Sequence, residues 1–309
     1  MVCAVATKAC FAADSPFSVT TAQTATQWTV SHRGKPVLVY SSDPQKFKPY
    51  VKELHAIGGK NVLRDAPHDH LHHHALMYGI TVNGVNFWEE TAGSGVQRVI
   101  HTVPPEAGET SKGLPMVSLR QEIMWLPAQS AFLPVSNAPA LLLENRTLRL
   151  VANEFSGEVL WEWNSSFEVP PSVTNVVLTG AAYHGLGMRF APELDATADH
   201  FFPEGFPDLS GTKQDVSSHD WEAIRFKRSS SPFMIAVIGH PQNRPAKPSF
   251  FSMARPFAYL AATQGLHAAP MVYKPGDKFE LRYLVLLWSD LRDATVVHAR
   301  AKAWWQQGL

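Results

Sequence analysis

Histidine is concentrated in one short stretch of the sequence. The chain has 14 histidines, and five of them fall within residues 68–74: His68, His70, His72, His73 and His74. Imidazole is the side chain whose ordinary pKa lies closest to neutral pH, so clustered histidines suit proton transfer or metal binding. If the stretch is extended, side chains alternate between two faces, which would place His73 opposite the other four. The pattern predicts a functional site here.

Two kinds of chemistry fit this stretch. Clustered imidazoles can meet the geometry of a divalent metal (zinc, iron, manganese or calcium), and the predicted ligands are His70, His72 and His73. Alternatively, the same histidines transfer protons, with Glu89 or Glu90 as the base. Two further interpretations remain open: a solvated loop without a ligand, or buried histidines that only satisfy backbone groups.

Residues elsewhere in the chain can complete such a site. His101 follows a strand-like run and can return to the cluster through a hairpin, and His240 ends an apolar strand where β scaffolds often present functional groups. The predicted catalytic set is therefore His70, His72, His73, Glu89, His101 and His240. Arginine and asparagine donors suit sugar hydroxyls or a carboxylate, and tryptophan can stack on a sugar ring. The predicted substrate-binding residues of this kind are Arg64, Trp88, Arg189, Asn243 and Arg255.

The elements that must position these residues are mostly β-strands. Short β-branched or aromatic runs recur at residues 27–31, 37–40, 79–82, 96–101, 148–152, 158–168, 172–178, 233–238 and 279–288. Turn residues separate them, including Asn83-Gly84, which is a strong hairpin signal. The pattern predicts an all-β fold, a large antiparallel β-sandwich with few short helices.

Three segments depart from the strand pattern. Residues 49–57 are predicted to form a short helix. Residues 290–307 are predicted to form a C-terminal helix that packs through Val296, Val297, Ala301 and either Trp304 or Trp305. Residues 191–218 are rich in Pro, Asp and Gly, and such a long irregular region is typical of a functional loop or a lid.

Composition and charge exclude several classes of protein. The chain has 309 residues with 27 basic and 27 acidic side chains, so it has no net field to hold nucleic acid. No apolar run approaches the roughly 20 residues of a membrane-spanning helix. Residues 1–13, which contain both cysteines, look like a truncated secretory signal, and residues 14–309 are predicted to form one domain. The expected location is the periplasm or the exterior of a bacterial cell.

Three blocks of the sequence resemble the bacterial proteins called "methane oxygenase PmoA-like". The first block spans residues 64–88, and its matching residues are Arg64, Asp65, Asp69, His70, His72, His73, Leu76, Asn83, Gly84, Phe87 and Trp88. The second block is the Gly-rich segment 183–190, and the third is the His-Pro region 238–245. A methane oxygenase subunit spans the membrane, which this sequence cannot do, so the name does not describe the activity.

The resemblance implies a fold and two departures from the family pattern. Its members look like β-sandwiches of the galactose-mutarotase ("supersandwich") kind, and they are similar in architecture to proteins that process sugars. The family's Arg-Gly is His74-Ala75 here, and a glutamate of the Gly-rich segment is replaced near Tyr183-His184. The resemblance therefore adds His184 to the predicted substrate-binding residues.

Three functions follow from these patterns. The first is an enzyme that acts on a small carbohydrate or glycoside as an epimerase, lyase or hydrolase, using acid/base or metal chemistry. The second is a sugar-binding envelope protein without catalysis. The third is a metal-dependent oxidase or oxygenase. The first is preferred because each of its reactions needs a positioned acid and base.

Overall fold

The computed structural model describes residues 7–8, 15–22, 26–130, 133–134, 138–229 and 231–309. The predicted signal segment, residues 1–13, lies outside the described residues except for Thr7–Lys8, which forms a short strand. Within the described residues, strands make up about 50% and helix about 7% of the chain. The all-β sandwich predicted from the sequence is confirmed.

The first half of the chain contains eleven strands. These are β1 (Thr7–Lys8), β2 (Phe17–Thr21), β3 (Gln27–His32), β4 (Lys35–Ser41), β5 (Tyr50–Leu54), β6 (Leu76–Gly79), β7 (Thr81–Val82), β8 (Val85–Asn86), β9 (Val96–Glu109), β10 (Pro115–Leu126) and β11 (Leu142–Asn153). A short 3-10 helix at Ala128–Ser130 follows β10.

The second half adds eleven strands and the C-terminal helix. These are β12 (Glu158–Glu168), β13 (Val176–Thr179), β14 (Gly185–Arg189), β15 (Asp199–Phe201), β16 (Gln214–Ser218), β17 (Trp221–Phe226), β18 (Phe233–Gly239), β19 (Ser249–Met253), β20 (Tyr259–Thr263), β21 (Met271–Tyr273), β22 (Lys278–Trp288) and α1 (Ala294–Gln307). Another 3-10 helix, Pro192–Leu194, lies between β14 and β15.

The described strands form three antiparallel sheets. The first sheet has the order β1-β2-β3-β4-β5-β6-β14-β20-β19-β16, and the second has the order β15-β17-β18-β22-β12-β11-β10-β9. A small third sheet has the order β21-β13-β7-β8. Apolar side chains from all three sheets meet in one continuous core, so the two large sheets pack face to face.

The two-residue hairpin predicted at Asn83-Gly84 is confirmed. It joins β7 to β8, and both residues have positive φ angles, 49° and 78°. These angles match a type I′ turn, whose twist suits the adjoining strands.

The helix predicted over residues 49–57 is wrong, because Tyr50–Leu54 forms strand β5. Its edges pair with β4 and β6, so its backbone groups are satisfied by the first sheet. Val51 and Leu54 lie in the main core. Tertiary pairing thus overrides a local pattern too short to specify a helix.

The predicted C-terminal helix is confirmed and begins after Asp293, whose side chain accepts hydrogen bonds from the backbone N–H groups of Thr295 and Val296. It buries Val297, Ala301 and Trp304 against the second sheet. Of the two tryptophans left open by the sequence, Trp304 is therefore the more deeply buried one, at 2% exposure. The helix covers the outer face of that sheet.

A buried charge network ties the two large sheets together. Arg146 of β11 is 1% exposed, and its Nε donates to Oε1 of Glu144 at 2.7 Å. Its Nη1 and Nη2 donate to the Pro49 carbonyl and to Oε1 of Gln97, both at 3.2 Å. Because these partners come from distant parts of the chain, one guanidinium fixes several elements at once.

Candidate functional site

The candidate site lies on the face of the first sheet that points away from the main core. In β14, Leu186 and Met188 enter the core, so Gly187 and Arg189 point to the opposite face. Directly paired residues share a face, and pairing carries this row across neighbouring strands. The row consists of Arg189, Tyr259, Met253 and Gln214.

Gly187 allows aromatic side chains to lie directly on this face. A Cβ atom at position 187 would fall 2.0 Å from the hydroxyl of Tyr259 and 2.7 Å from the ring of Trp88. Only glycine leaves room for both rings. The Gly-rich segment singled out in the sequence therefore forms the floor of an aromatic cluster.

The histidine stretch covers this floor as two consecutive turns and not as an extended strand. His70 N–H donates to the Pro67 carbonyl at 3.0 Å, and His73 N–H donates to the His70 carbonyl at 2.9 Å. A bridge between Asp65 and His74 closes the loop. The prediction of alternating faces is wrong, because the turns curl the chain and bring His73 beside His70 and His72.

Three of the five histidines form a compact cluster. The ring of His73 stacks on His70 with centroids 4.6 Å apart and meets His72 edge-on, also at 4.6 Å. Burial, together with its positively chargeable neighbours, lowers the pKa of His73 to about 2. His73 is therefore a neutral imidazole at physiological pH. His68 is exposed.

The cluster forms one wall of a cavity of about 470 Å³. The side chains that line it are His70, His72, His73, Glu89, Tyr183, Gln214, Phe251, Met253, Pro256, Phe257 and Tyr259. Its lining thus combines aromatic and apolar side chains with a few polar groups. This combination is typical of sites for small ligands.

An acid/base pair lies within the lining of this cavity. Nδ1 of His72 is 3.2 Å from Oε2 of Glu89, and both side chains are partly exposed, at 19% and 33%. Burial lowers the pKa of His72, while the Glu89 carboxylate acts in the opposite direction. The carboxylate orients the imidazole, so the pair can exchange a proton with a bound molecule.

His74 does not line the cavity and joins two partly buried carboxylates. Its Nδ1 lies 2.7 Å from Asp65 and its Nε2 3.0 Å from Glu90. Burial opposes a charge on this ring, but the hydrogen bonds to both carboxylates outweigh it and raise the pKa of His74. Lys48 also donates to Glu90, at 2.7 Å. The network clamps the loop of residues 64–74 to the segment that carries Glu89.

The structure places a specific demand on each of positions 74 and 75. Position 74 holds a positive charge between Asp65 and Glu90, which a cationic histidine supplies. The next residue, Ala75, has a φ of 47°, a conformation that favours glycine.

The stability of this region should depend on pH through His74. Its folded pKa is raised above 6.5, so its contribution is fully present below pH 6.5 and is lost as the pH rises through the folded pKa. We expect the free energy of unfolding to decline above pH 6.5 in the wild type and to decline less in the double variant His74→Arg/Ala75→Gly, which stays charged. Urea denaturation between pH 6 and 9 measures both slopes, and equal slopes would contradict the assignment.

Arg189 and His184 lie beside the cavity without lining it. Arg189 is 2% exposed, donates to Asp69 at 3.1 Å and has its guanidinium carbon 3.2 Å from the ring centroid of Phe257. His184 stacks on Trp88 with centroids 5.2 Å apart, and burial lowers its pKa to about 4. Trp88 itself is fully buried beneath the cluster.

Other predicted residues have different surroundings. His101 is exposed on β9, an edge strand of the second sheet, and does not line the cavity. His240 is buried edge-on against Trp304 of α1, with centroids 5.1 Å apart. The side-chain amide of Asn243 donates to the Arg282 carbonyl at 2.9 Å and accepts from the Arg282 backbone N–H at 2.7 Å. The geometry gives His240 and Asn243 structural roles.

Arg64 and Arg255 lie near the cavity but outside its lining. Arg64 is partly buried, and its backbone N–H donates to the Arg189 carbonyl at 2.9 Å. Arg255 is exposed in the loop of residues 254–258, next to Pro256 and Phe257, which line the cavity.

The described side chains do not form a metal centre. No group of three or more His, Cys, Asp or Glu side chains in the described part of the chain is arranged to hold a metal ion. His70, His72 and His73 are close, but their rings stack or meet edge-on. The described helices also include none long and apolar enough to span a membrane.

Comparison with known families identifies the chain. Residues 27–302 match the profile of a family of unknown function, DUF6807. The chain belongs to this family. All three blocks singled out in the sequence lie within the matched residues, and so does every residue that lines the cavity. No protein of curated function matches the sequence significantly.

Among solved structures, this DUF6807 chain is similar to parts of larger proteins. It is 11% identical to the GH36 alpha-galactosidase AgaB from Geobacillus stearothermophilus, with a TM-score of 0.49. The match covers 88% of this chain and 41% of the galactosidase. The alpha-galactosidase from Lactobacillus brevis gives 9% identity, a TM-score of 0.44 and coverage of 81% and 37%. The chain thus spans about two fifths of the length of these galactosidases.

A match to a protein of similar size is weaker. The Slr1438 protein from Synechocystis sp. PCC 6803 is 8% identical, with a TM-score of 0.38 and coverage of 94% of this chain and 97% of that chain.

Sequence reasoning missed the aromatic wall of the cavity in this DUF6807 chain. Tyr183, Phe251, Phe257 and Tyr259 come from three separate segments, and nothing local distinguishes them from core aromatics. The irregular region 191–218 contributes Gln214 to the lining, from the edge strand β16. Strand register places Phe251, Tyr259 and Gln214 on one face of the first sheet, whereas Tyr183 and Phe257 reach the cavity from loops.

Proposed function

We propose that the cavity binds a sugar ring and that the protein is a carbohydrate-processing enzyme of the epimerase, lyase or hydrolase type. The observation that carries this proposal is the His72–Glu89 pair, 3.2 Å apart in the lining of an aromatic cavity. A volume of about 470 Å³ falls within the range of roughly 300–1,000 Å³ found for small-molecule sites.

The lining of the cavity suits the two kinds of surface on a sugar. The apolar face of a pyranose ring packs well on aromatic side chains, and Tyr183, Phe251 and Phe257 offer such surfaces. Hydroxyl groups need donors and acceptors, which the imidazoles and Glu89 supply. A lining that combines aromatic and polar side chains therefore favours an amphipathic ring over a purely apolar ligand.

The His72–Glu89 pair favours catalysis over binding alone. Burial lowers the pKa of His72, so the ring is largely neutral near pH 7 and can accept a proton from a substrate carbon or hydroxyl. Glu89 stabilises the imidazolium that forms and orients the ring for return of the proton. His73 cannot share this role, because burial lowers its pKa to about 2 and so makes it too weak a base to accept the proton.

The proposal is tested by offering the purified protein a panel of free sugars and nitrophenyl glycosides. NMR follows binding, anomer exchange, epimerisation and elimination, and nitrophenol absorbance follows hydrolysis. Turnover of one class supports the enzyme. Binding without turnover would instead support the sugar-binding protein. If the protein neither binds nor converts any of these sugars, the proposal is wrong. Stoichiometric iron or copper in the purified protein would favour the metal-dependent oxidase.

A further inference from the structure

The guanidinium of Arg189 is buried with most of its hydrogen-bonding capacity unused. Its Nη2 donates to Oδ2 of Asp69 at 3.1 Å, whereas Nε and Nη1 have no hydrogen-bond partner among the described residues. Buried polar groups are nearly always bonded, and arginine has five donors. This side chain is therefore ready to receive an additional acceptor.

Further positive charge lies close to Arg189. The backbone N–H of Arg64 donates to the Arg189 carbonyl. Burial is the main cause that lowers the pKa of Arg189, and repulsion from the Arg64 guanidinium acts in the same direction. Arg255 lies in the loop that contacts Arg189 through Phe257. The carboxylates that face this group are Asp69 and Asp195. Arg64 is thus the cationic neighbour of Arg189, and Asp69 and Asp195 are its carboxylate neighbours.

Both carboxylates are already engaged. Asp69 lies 3.1 Å from Nδ1 of His70 as well as bonding Arg189, and together these contacts lower the pKa of Asp69 despite its partial burial. Asp195 accepts a hydrogen bond from the backbone N–H of Ala258 at 2.9 Å. Neither carboxylate accepts a hydrogen bond from Nε or Nη1 of Arg189.

This cationic group adjoins the cavity. The ring of Phe257 lies between the Arg189 guanidinium and the cavity that it lines, with its centroid 3.2 Å from the guanidinium carbon. His70, the neighbour of Asp69, lines the same side. The side of the cavity formed by Phe257 and His70 therefore has the Arg189 guanidinium directly behind it, and we call it the cationic side.

We propose that the ligand is a sugar acid, whose carboxylate binds Arg189 at the cationic side of the cavity. This inference rests on the proposed function. The loop of residues 254–258 has to shift the Phe257 ring so that the carboxylate reaches the free N–H groups. Guanidinium pairs with carboxylate through charge-assisted hydrogen bonds, which select an acid over a neutral sugar. The sugar ring then lies against the aromatic wall and faces His72 and Glu89.

Calorimetry with matched sugars tests this proposal. Galacturonate and glucuronate are compared with galactose and glucose, which differ only in the charged group. We expect the wild type to bind the better uronate roughly tenfold or more tightly than its neutral partner. The preference should disappear in Arg189→Gln, shrink in Arg64→Gln and persist in Arg120→Gln, an exposed arginine of the second sheet.

The outcomes separate this inference from the proposed function. Equal affinity of the wild type for a uronate and its neutral partner would overturn the inference while leaving a sugar site intact. Failure to bind any sugar would overturn both the inference and the proposed function. Competition by acetate at the same concentration as the uronate would show a general anion site and overturn the sugar acid. If circular dichroism shows Arg189→Gln to be unfolded, the wild-type comparison and Arg64→Gln still decide.

Discussion

Replacing Glu89 by glutamine should reduce turnover of an accepted sugar by roughly 10²- to 10⁴-fold, the usual contribution of a positioned acid or base. The amide preserves the size of the side chain but removes the charge that lies 3.2 Å from His72. Without it, the imidazolium formed during proton transfer loses its stabilising partner. The loss should appear in kcat more than in KM, since the aromatic wall that holds the ring is unchanged.

The control for this variant is another histidine–glutamate pair of the same chain. His55 and Glu53 lie 3.0 Å apart at the end of β5, with His55 buried and Glu53 partly exposed, and they line no part of the cavity. Glu53→Gln should therefore keep wild-type turnover. Initial rates and pH profiles of both variants are compared with the wild type. If Glu89→Gln retains full activity, the acid/base assignment is wrong.

Replacing Arg146 by methionine should lower the free energy of unfolding by about 3–5 kcal/mol. Methionine fills similar volume, but the carboxylate of Glu144, also fully buried, loses the cation that compensates its charge. The hydrogen bonds from Arg146 to Gln97 and to the Pro49 carbonyl are lost as well. Urea denaturation followed by tryptophan fluorescence measures the change.

Arg120 provides the matched control for Arg146. It forms an exposed pair with Glu106 at 3.3 Å, and each side chain is more than half exposed. Because water screens such a pair, Arg120→Met should cost between 0 and about 1 kcal/mol. Equal effects of the two variants would show that the buried network does not hold the sheets together.

The histidine stretch shows how far local patterns reach. Residue type and spacing identified His70, His72 and His73 as a group, and these three do line one cavity. The extended conformation assumed for them was wrong, because two turns bring His73 onto His70 and direct His74 into a separate ion network. Composition thus located the candidate site, whereas backbone hydrogen bonds determined which imidazoles share it.

His240 shows the opposite case. The sequence placed it at the end of an apolar strand, and the strand Phe233–Gly239 is present where predicted. Its role changed because α1, more than fifty residues later, folds back and packs Trp304 against it. A contact of this range leaves no local trace in the sequence, so the assignment of His240 to the site could not be checked before the fold was known.

The sequence by itself determined the all-β architecture, the Asn83-Gly84 hairpin, the C-terminal helix and the location of the histidine cluster, because each depends on the periodicity or chemistry of neighbouring residues. Only the tertiary structure decided the rest of the candidate site. Strand register sets Tyr259, Met253 and Gln214 in one row beside Arg189. That register depends on pairing between distant strands and on which face each strand buries, and neither is encoded in a local pattern.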